Sequence, residues 1–304
     1  MEMKVKGTFR KVTKRPLAAL LTTAAALTVS LAGWGQEKPS ADRVSLKFAP
    51  RAETFLSYLF QTQVNIEGKD FLGKDIRVEV QSDGGAEFLV KASRPGTVRT
   101  AITIPGISLN ASMPESSLSG TIRTRPSSSL EVVFNSTGKV SSITNTEALE
   151  QDFQSNISFT QMLSDYFPVL PLQPVSPGAS WKDSRRIGLP YQGVEVVVNL
   201  DTEYRLDDVM PSPDGPKAFI STTYTATVYG EQPLGDGVGV FEGNGEGSGF
   251  LHFLVDKGVF STYQFAFKVE AAFSVKRQSQ TLMRWPFSFF ASSLISLGQA
   301  RFVP

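Results

Sequence analysis

The chain has 304 residues, no Cys, a single His (His252), and 30 Lys plus Arg against 29 Asp plus Glu. Those counts exclude disulfides, thiol nucleophiles, Cys-rich zinc and iron–sulfur sites, and any metal site built on two or more His. With 41% hydrophobic residues and 22 Phe, the composition is that of a folded protein with a large core.

The N-terminus is read as an address. Lys4, Lys6, Arg10, Lys11, Lys14 and Arg15 face Glu2 alone, and Leu17 to Ala32 follow as an uncharged run of 16 residues. A bilayer span needs about 20. Ser30 and Ala32 supply small residues at the −3 and −1 positions of a cleavage site. The expectation is a signal peptide over 1–32 and a flexible linker over 33–43, with an uncleaved anchor as the alternative. Leu31-Ala32-Gly33-Trp34 resembles a bacterial lipoprotein box in which Trp34 stands where the lipid-bearing Cys would be. That predicts an exported protein, periplasmic or extracellular, soluble after cleavage and without a transmembrane span in the mature chain. Removing the six cations and one anion of the leader leaves 24 against 28, a net charge of −4. An acidic domain is poorly suited to nucleic acid or to an anionic membrane surface.

From Val44 the pattern is mostly period two, predicting a β-rich domain over 44–283. Leu56, Tyr58, Phe60, Thr62, Val64 and Ile66 alternate with polar residues, as do Ile76, Val78 and Val80. Asp83-Gly84-Gly85 reads as a hairpin turn into Ala86, Phe88, Val90 and Ala92. The first half is assigned to 44–144. Thr144 and Glu147 then have capping-box spacing, and Leu149, Phe153, Ile157, Met162, Leu163 and Tyr166 recur at helical spacing. The expectation is an amphipathic helix over 145–166 that covers a sheet face or lids a cavity.

Pro168, Pro171, Pro174 and Pro177 follow at intervals of three, the period of polyproline II. They predict a stiff connector over 167–180 ahead of a second half, 181–283. There Val194, Val196, Val198, Leu200, Thr202, Tyr204 and Leu206 line one face of a strand. Tyr263, Phe265, Phe267, Val269, Ala271, Phe273 and Val275 line one face of another. Strands near 12 residues with one wet face favour a long, strongly curved antiparallel sheet, a half-barrel or clam, with one or two covering helices. Phe134–Ser142 resembles Leu254–Thr262 in the order of its Gly, bulky apolar and Ser residues. Either the two halves are related or similar turn chemistry recurs.

Between Gly235 and Gly249 every glycine has an odd number. That parity cannot give the five-residue step of a phosphate-binding loop. On a strand it is one bare face, which lets another element approach closely or the sheet coil sharply. Phe265 and Phe267 are expected to fill the space above it.

His252 is read as structural, since Ser248, on the same strand face, lies about 13 Å along the strand and no nucleophile elbow accompanies it. Asp201, Glu203, Asp207 and Asp208, and Glu242 with Glu246, read as wet-face carboxylates. No catalytic residue, cofactor or metal ligand is assigned, and the expectation is a non-enzymatic protein. Residues 284–304 form an apolar C-terminal segment, expected as a last strand and covering helix or as an exposed patch.

Pro174-Val175-Ser176-Pro177-Gly178-Ala179-Ser180-Trp181 has the form P-V-x-x-G-x-x-W. It resembles a signature of an uncharacterised bacterial family of exported β-rich proteins, many of them lipoproteins. The resemblance spans about Val44–Val275 and implies no activity. The architecture is also similar to the half-barrels of lipoprotein-carrier proteins, which implies an acyl-chain cavity. Two functions follow as expectations. One is binding of a lipid or apolar small molecule between sheet and helix, at Leu149, Phe153, Ile157, Phe265 and Phe267. The other is a structural or protein-interaction module of the cell envelope.

Overall fold

The computed structural model describes residues 43–69, 73–113, 116–123, 129–147, 167–191, 194–278 and 280–303. The chain divides into two units, Met1–Ser40 and Ala41–Pro304, and every described residue belongs to the second. The expected signal peptide and nearly all of the linker lie outside the described residues. So does the expected helix beyond Glu147.

Twelve strands are described: β1 (Thr54–Lys69), β2 (Asp75–Arg94), β3 (Thr97–Met113), β4 (Ser116–Arg123), β5 (Ser129–Asn135), β6 (Val140–Thr144), β7 (Ser180–Tyr191), β8 (Val194–Met210), β9 (Lys217–Leu234), β10 (Gly237–Leu254), β11 (Val259–Arg277) and β12 (Gln280–Phe302). They form one sheet in the order β6-β5-β3-β2-β1-β12-β11-β10-β9-β8-β7, with β4 on the far half of β3. Every pairing is antiparallel. The first and last of the described strands, β1 and β12, meet at its centre.

The sheet curls without closing into a barrel. At 4.7–4.9 Å per strand, a flat sheet would hold β6 and β7 roughly 50 Å apart. Yet Lys139, in the turn before β6, places its Nζ 3.3 Å from Asp183 Oδ1 on β7. No ladder joins these two edges. The gap is filled by residues 167–175. Leu170 N–H donates to Thr137 O on one side, and Trp181 Nε1–H donates to Val169 O on the other. Val44 and Val175 exchange backbone hydrogen bonds. The P-V-x-x-G-x-x-W segment therefore works as a seam. Val175 holds the incoming chain, Gly178 turns at φ 90°, and Trp181 stacks on Tyr204 at 5.5 Å.

The core lies at one end of these strands. Leu56, Phe88, Ile102, Phe134, Leu206, Ile220, Phe253 and Phe260 belong to a single buried cluster. Phe48 sits between Phe134 and Phe260, with ring centroids 5.1 and 5.9 Å away. Its N–H donates to Ser136 O, and the next N–H, of Ala49, donates to Gly258 O. The two similar turns thus meet across one N-terminal segment. Each carries a glycine at positive φ, Gly138 at 82° and Gly258 at 64°. Asn135 Oδ1 shapes the first turn by accepting from Thr137 N–H, Thr137 Oγ1–H and Lys139 N–H.

Three expectations need correction. Asp83-Gly84-Gly85 is not a turn, because β2 runs straight through it. A Cβ on Gly84 would fall 2.4 Å from Phe60 Cζ, so the glycine serves close packing. Residues 284–304 contain no covering helix up to Val303, since β12 runs from Gln280 to Phe302. That segment belongs to the middle of the sheet. Finally, strands reach 20 residues in β2 and 23 in β12, beyond the 12 expected.

Candidate functional site

The register sorts side chains into two faces. Residues opposite Leu56 and Tyr58 share the concave face with the core. Val64, on the same parity, pairs with Val80 and Ala291; Ala291 pairs with Phe267, and Phe267 with Gly247. One step further from the core, Ile66 pairs with Val78 and Phe289. The concave face therefore continues past the sealed core as an apolar wall across β2, β1, β12 and β11. Its members Val64, Ile66, Val80, Phe267, Phe287 and Phe289 are half-buried, not sealed. The opposite face carries charge at mid-strand: Glu79, Glu203, Lys268 and Glu270. A membrane-spanning barrel has the inverse arrangement, apolar outside and polar within. No helix among the described residues is long and apolar enough to cross a membrane.

The bare glycine stripe belongs to the concave face of β10, where Gly245, Gly247 and Gly249 pair with Val269, Phe267 and Phe265. A Cβ at Gly243 would fall 2.5 Å from Ala271 Cβ. Cβ atoms of opposed residues are normally about 4.5–5.5 Å apart. The sheet therefore closes in sharply between β10 and β11. At Gly245 the hypothetical Cβ meets Phe267 Cζ at 2.7 Å, and at Gly249 it meets Phe265 Cα at 2.9 Å. The Phe267 ring is thus placed over the stripe, as the sequence leads one to expect, whereas at Gly249 it is the β11 backbone at Phe265 that comes close. Leu149, Phe153 and Ile157 lie outside the described residues.

A polar band separates core from wall. Thr222 Oγ1–H donates to Tyr224 Oη, and the Tyr224 and Tyr263 hydroxyls share a hydrogen bond of 2.9 Å. Thr62 and Ser293 hydroxyls are 3.0 Å apart across β1 and β12. At the seam, Arg185 Nε–H donates to Asp183 Oδ2 at 2.6 Å, and its Nη2–H donates to Phe167 O at 2.7 Å. Burial opposes the Arg185 charge, but Asp183 and the facing tyrosines outweigh it and hold its pKa above the usual guanidinium value. The sequence reading missed this pair. Asp183 and Arg185 have the parity of Trp181, which is the one signal that puts them inside.

Burial pushes the Tyr204 hydroxyl up to about 12 and raises those of Tyr58, Tyr224 and Tyr263. A raised folded-state pKa stabilises the fold fully below the ordinary value of 10 and loses that contribution as pH climbs past it. An alkaline titration followed at the tyrosinate absorbance should show these four of the seven tyrosines ionising only as the circular dichroism collapses. All seven titrating near pH 10 in a folded chain would contradict their placement.

His252 faces away from the concavity, between Phe219 at 4.6 Å and Phe250 at 5.0 Å. Partial burial, then Lys217, lower its pKa. Asp201 and Glu203 are exposed on the outer face, the first bonded to Ser184 Oγ–H and the second paired with Lys182. A cleft of about 500 Å³ opens at the far ends of β1, β2, β11 and β12. Gly68, Ile76, Ala271 and Phe287, of the concave parity, line it together with Glu67, Lys69, Asp75, Arg77 and Glu270 of the outer parity.

The class defined by these features is a curled, open, antiparallel β-sheet with an apolar concave face. No protein-family model and no curated protein matches the sequence. Among solved structures, lipovitellin, described for its lipid–protein interactions, is similar over 84% of this chain at 9% identity and a TM-score of 0.47. The chain spans about a quarter of its length, 26%. The Pseudomonas aeruginosa protein OccK2, described in complex with glucuronate, is similar over 82% of this chain and 100% of its own, at 8% identity and a TM-score of 0.24. Likenesses at these scores bear on neither ligand nor activity.

Proposed function

We infer that this protein binds an apolar, lipid-like ligand along the distal half of its concave face, without catalysis. The observation that carries the reading is the continuous wall of half-buried Val, Ile and Phe beyond a core that is already sealed. Large apolar surface left open on one face, with charge on the other, is the pattern of a binding surface. The cleft at the far end shares Phe287 with that wall. The reading includes export, on the strength of the basic and uncharged N-terminal run.

A second reading is favoured by one observation. Phe267 folds over the glycine stripe, so part of the concavity is filled by the protein itself. An envelope module with no ligand would extend that filling to the whole face.

The test is titration with a fluorescent fatty acid. Wild type is expected to bind it saturably. Val80→Glu, which puts a charge on the wall, should weaken binding by about ten-fold or more while the fold is retained. Absence of saturable binding by the folded wild type would favour the second reading.

A further inference from the structure

We propose that the wall ends in a head-group subsite, formed by the hydroxyls of Tyr204, Tyr224 and Tyr263, that takes the acyl carbonyl oxygen of a fatty acid or its ester. The ligand then lies with its oxygenated end against the core and its chain along the wall. The observation behind this is a surplus of buried donors. A hydroxyl has one proton to donate and two lone pairs. Thr222 Oγ1–H donates to Tyr224 Oη, and Tyr224 and Tyr263 share one hydrogen bond. Three protons thus serve two bonds. Whichever tyrosine donates to the other, one of them keeps an O–H with no acceptor among the described residues. Tyr204 Oη accepts from Val169 N–H at 3.3 Å, and its own O–H likewise has no acceptor among the described residues. Tyr58, in the same core, shows the satisfied case, with its O–H donating to Phe260 O at 2.9 Å.

Burial, position and number select the ligand. Tyr204, Tyr224 and Tyr263 are 2%, 6% and 8% exposed, and a buried donor left without an acceptor is destabilising. Tyr204 pairs with Thr222 across β8 and β9, one step along the concave face from Tyr224. Tyr224 opens the row that runs through Gly247, Phe267, Ala291 and Val64 to Val80, so the hydroxyls stand where the wall begins. Each of the three lies within electrostatic reach of the others and of Arg185. Arg185 is already paired with Asp183 at 2.6 Å, so hydrogen bonding does the selecting. Two O–H donors match the two lone pairs of one carbonyl oxygen, an acceptor with no proton of its own. An alcohol would add a further donor, and a hydrocarbon would satisfy none.

The inference rests on the proposed wall site but is tested apart from it. Diphenylhexatriene, a fluorophore without oxygen, reports on the wall, and methyl palmitate, palmitic acid and hexadecane compete with it on the full chain. Tyr204→Phe, Tyr224→Phe and Tyr263→Phe combined should weaken methyl palmitate by about ten-fold or more, without weakening diphenylhexatriene or hexadecane. Tyr58→Phe, which removes a hydroxyl already bonded to the chain, should weaken none of them. Methyl palmitate and palmitic acid weakened alike assign the subsite to the carbonyl they share; weakening of one alone identifies the ester or the acid as its source. Ester, acid and hexadecane all weakened equally, or none weakened, overturns the subsite and leaves the wall standing. Wild type that binds none of the four probes removes both. Should the triple variant fail to fold, the carbonyl stretch of methyl palmitate on wild type decides. A stretch below its position in hexane supports the subsite, and an unshifted one overturns it.

Discussion

Gly249→Val is expected to destabilise the fold by about 3 kcal/mol, the upper end of what overpacking costs. The Cβ it introduces falls 2.2 Å from Gln264 O, 2.9 Å from Phe265 Cα and 3.0 Å from Thr222 Oγ1. Two of those three atoms belong to the backbone of β11, which is paired on its other side with β12, so no side-chain rotation relieves the clash. The strand must separate or untwist, and the sharp approach of β10 to β11 is lost. Gly120→Ala is the matched control. A Cβ there has nothing within 4 Å, and its cost should stay within about 0.5 kcal/mol. Urea unfolding of the two variants checks the pair. A Gly249→Val midpoint equal to that of wild type would mean that β10 is not held so close to its neighbour.

Phe48→Ala is expected to cost about 3–5 kcal/mol, the range for removing a buried aromatic side chain. Phe48 is 2% exposed and touches rings from two strands that are far from neighbours in the sheet, Phe134 on β5 near one edge and Phe260 on β11 in its middle. It is also tied by backbone hydrogen bonds at its own N–H and the next one to the turns at Ser136 and Gly258. The loss is therefore of a contact that holds the curl shut, and not of local packing alone. Amide hydrogen exchange should show the β5–β6 and β10–β11 turns losing protection together. Loss confined to residues around 48 would contradict that role.

Much of this fold is legible in the sequence because a one-sided β-sheet writes itself in period two. The inner faces of β1, β8 and β11 follow directly from the alternation at 56–66, 196–206 and 263–275. The stripe of odd-numbered glycines is legible for the same reason, since parity on a strand is a face. β12 is not legible. Its inner residues Trp285, Phe287, Phe289 and Ile295 are interleaved with Phe290 and Leu294 on the outer face, so apolar residues on both parities hide the period. Gly84 and Gly85 mislead for a different reason. Glycine marks turns by its backbone freedom and strands by its lack of a side chain, and only the ring of Phe60 decides between them. The seam is legible in part. Trp181 and Gly178 are conspicuous, but the meeting of β7 with the turn before β6 depends on the curl of the entire sheet. So does the buried pair Asp183 and Arg185, which in one dimension are ordinary surface charges.

Of the candidate site, Phe265 and Phe267 are readable from local pattern, whereas Phe287 and Phe289 enter only through the pairing of β12 with β1 and β11. The wall is a product of topology: the first and last described strands, β1 and β12, supply its centre.

A ligand held by this wall should remain bound when the protein is purified from the cells that make it. Native mass spectrometry of that protein is expected to show a stoichiometric adduct with the mass of an acyl-chain lipid, diminished in Val80→Glu. A clean mass of the chain alone, from protein that also fails to bind the fluorescent fatty acid, would contradict it.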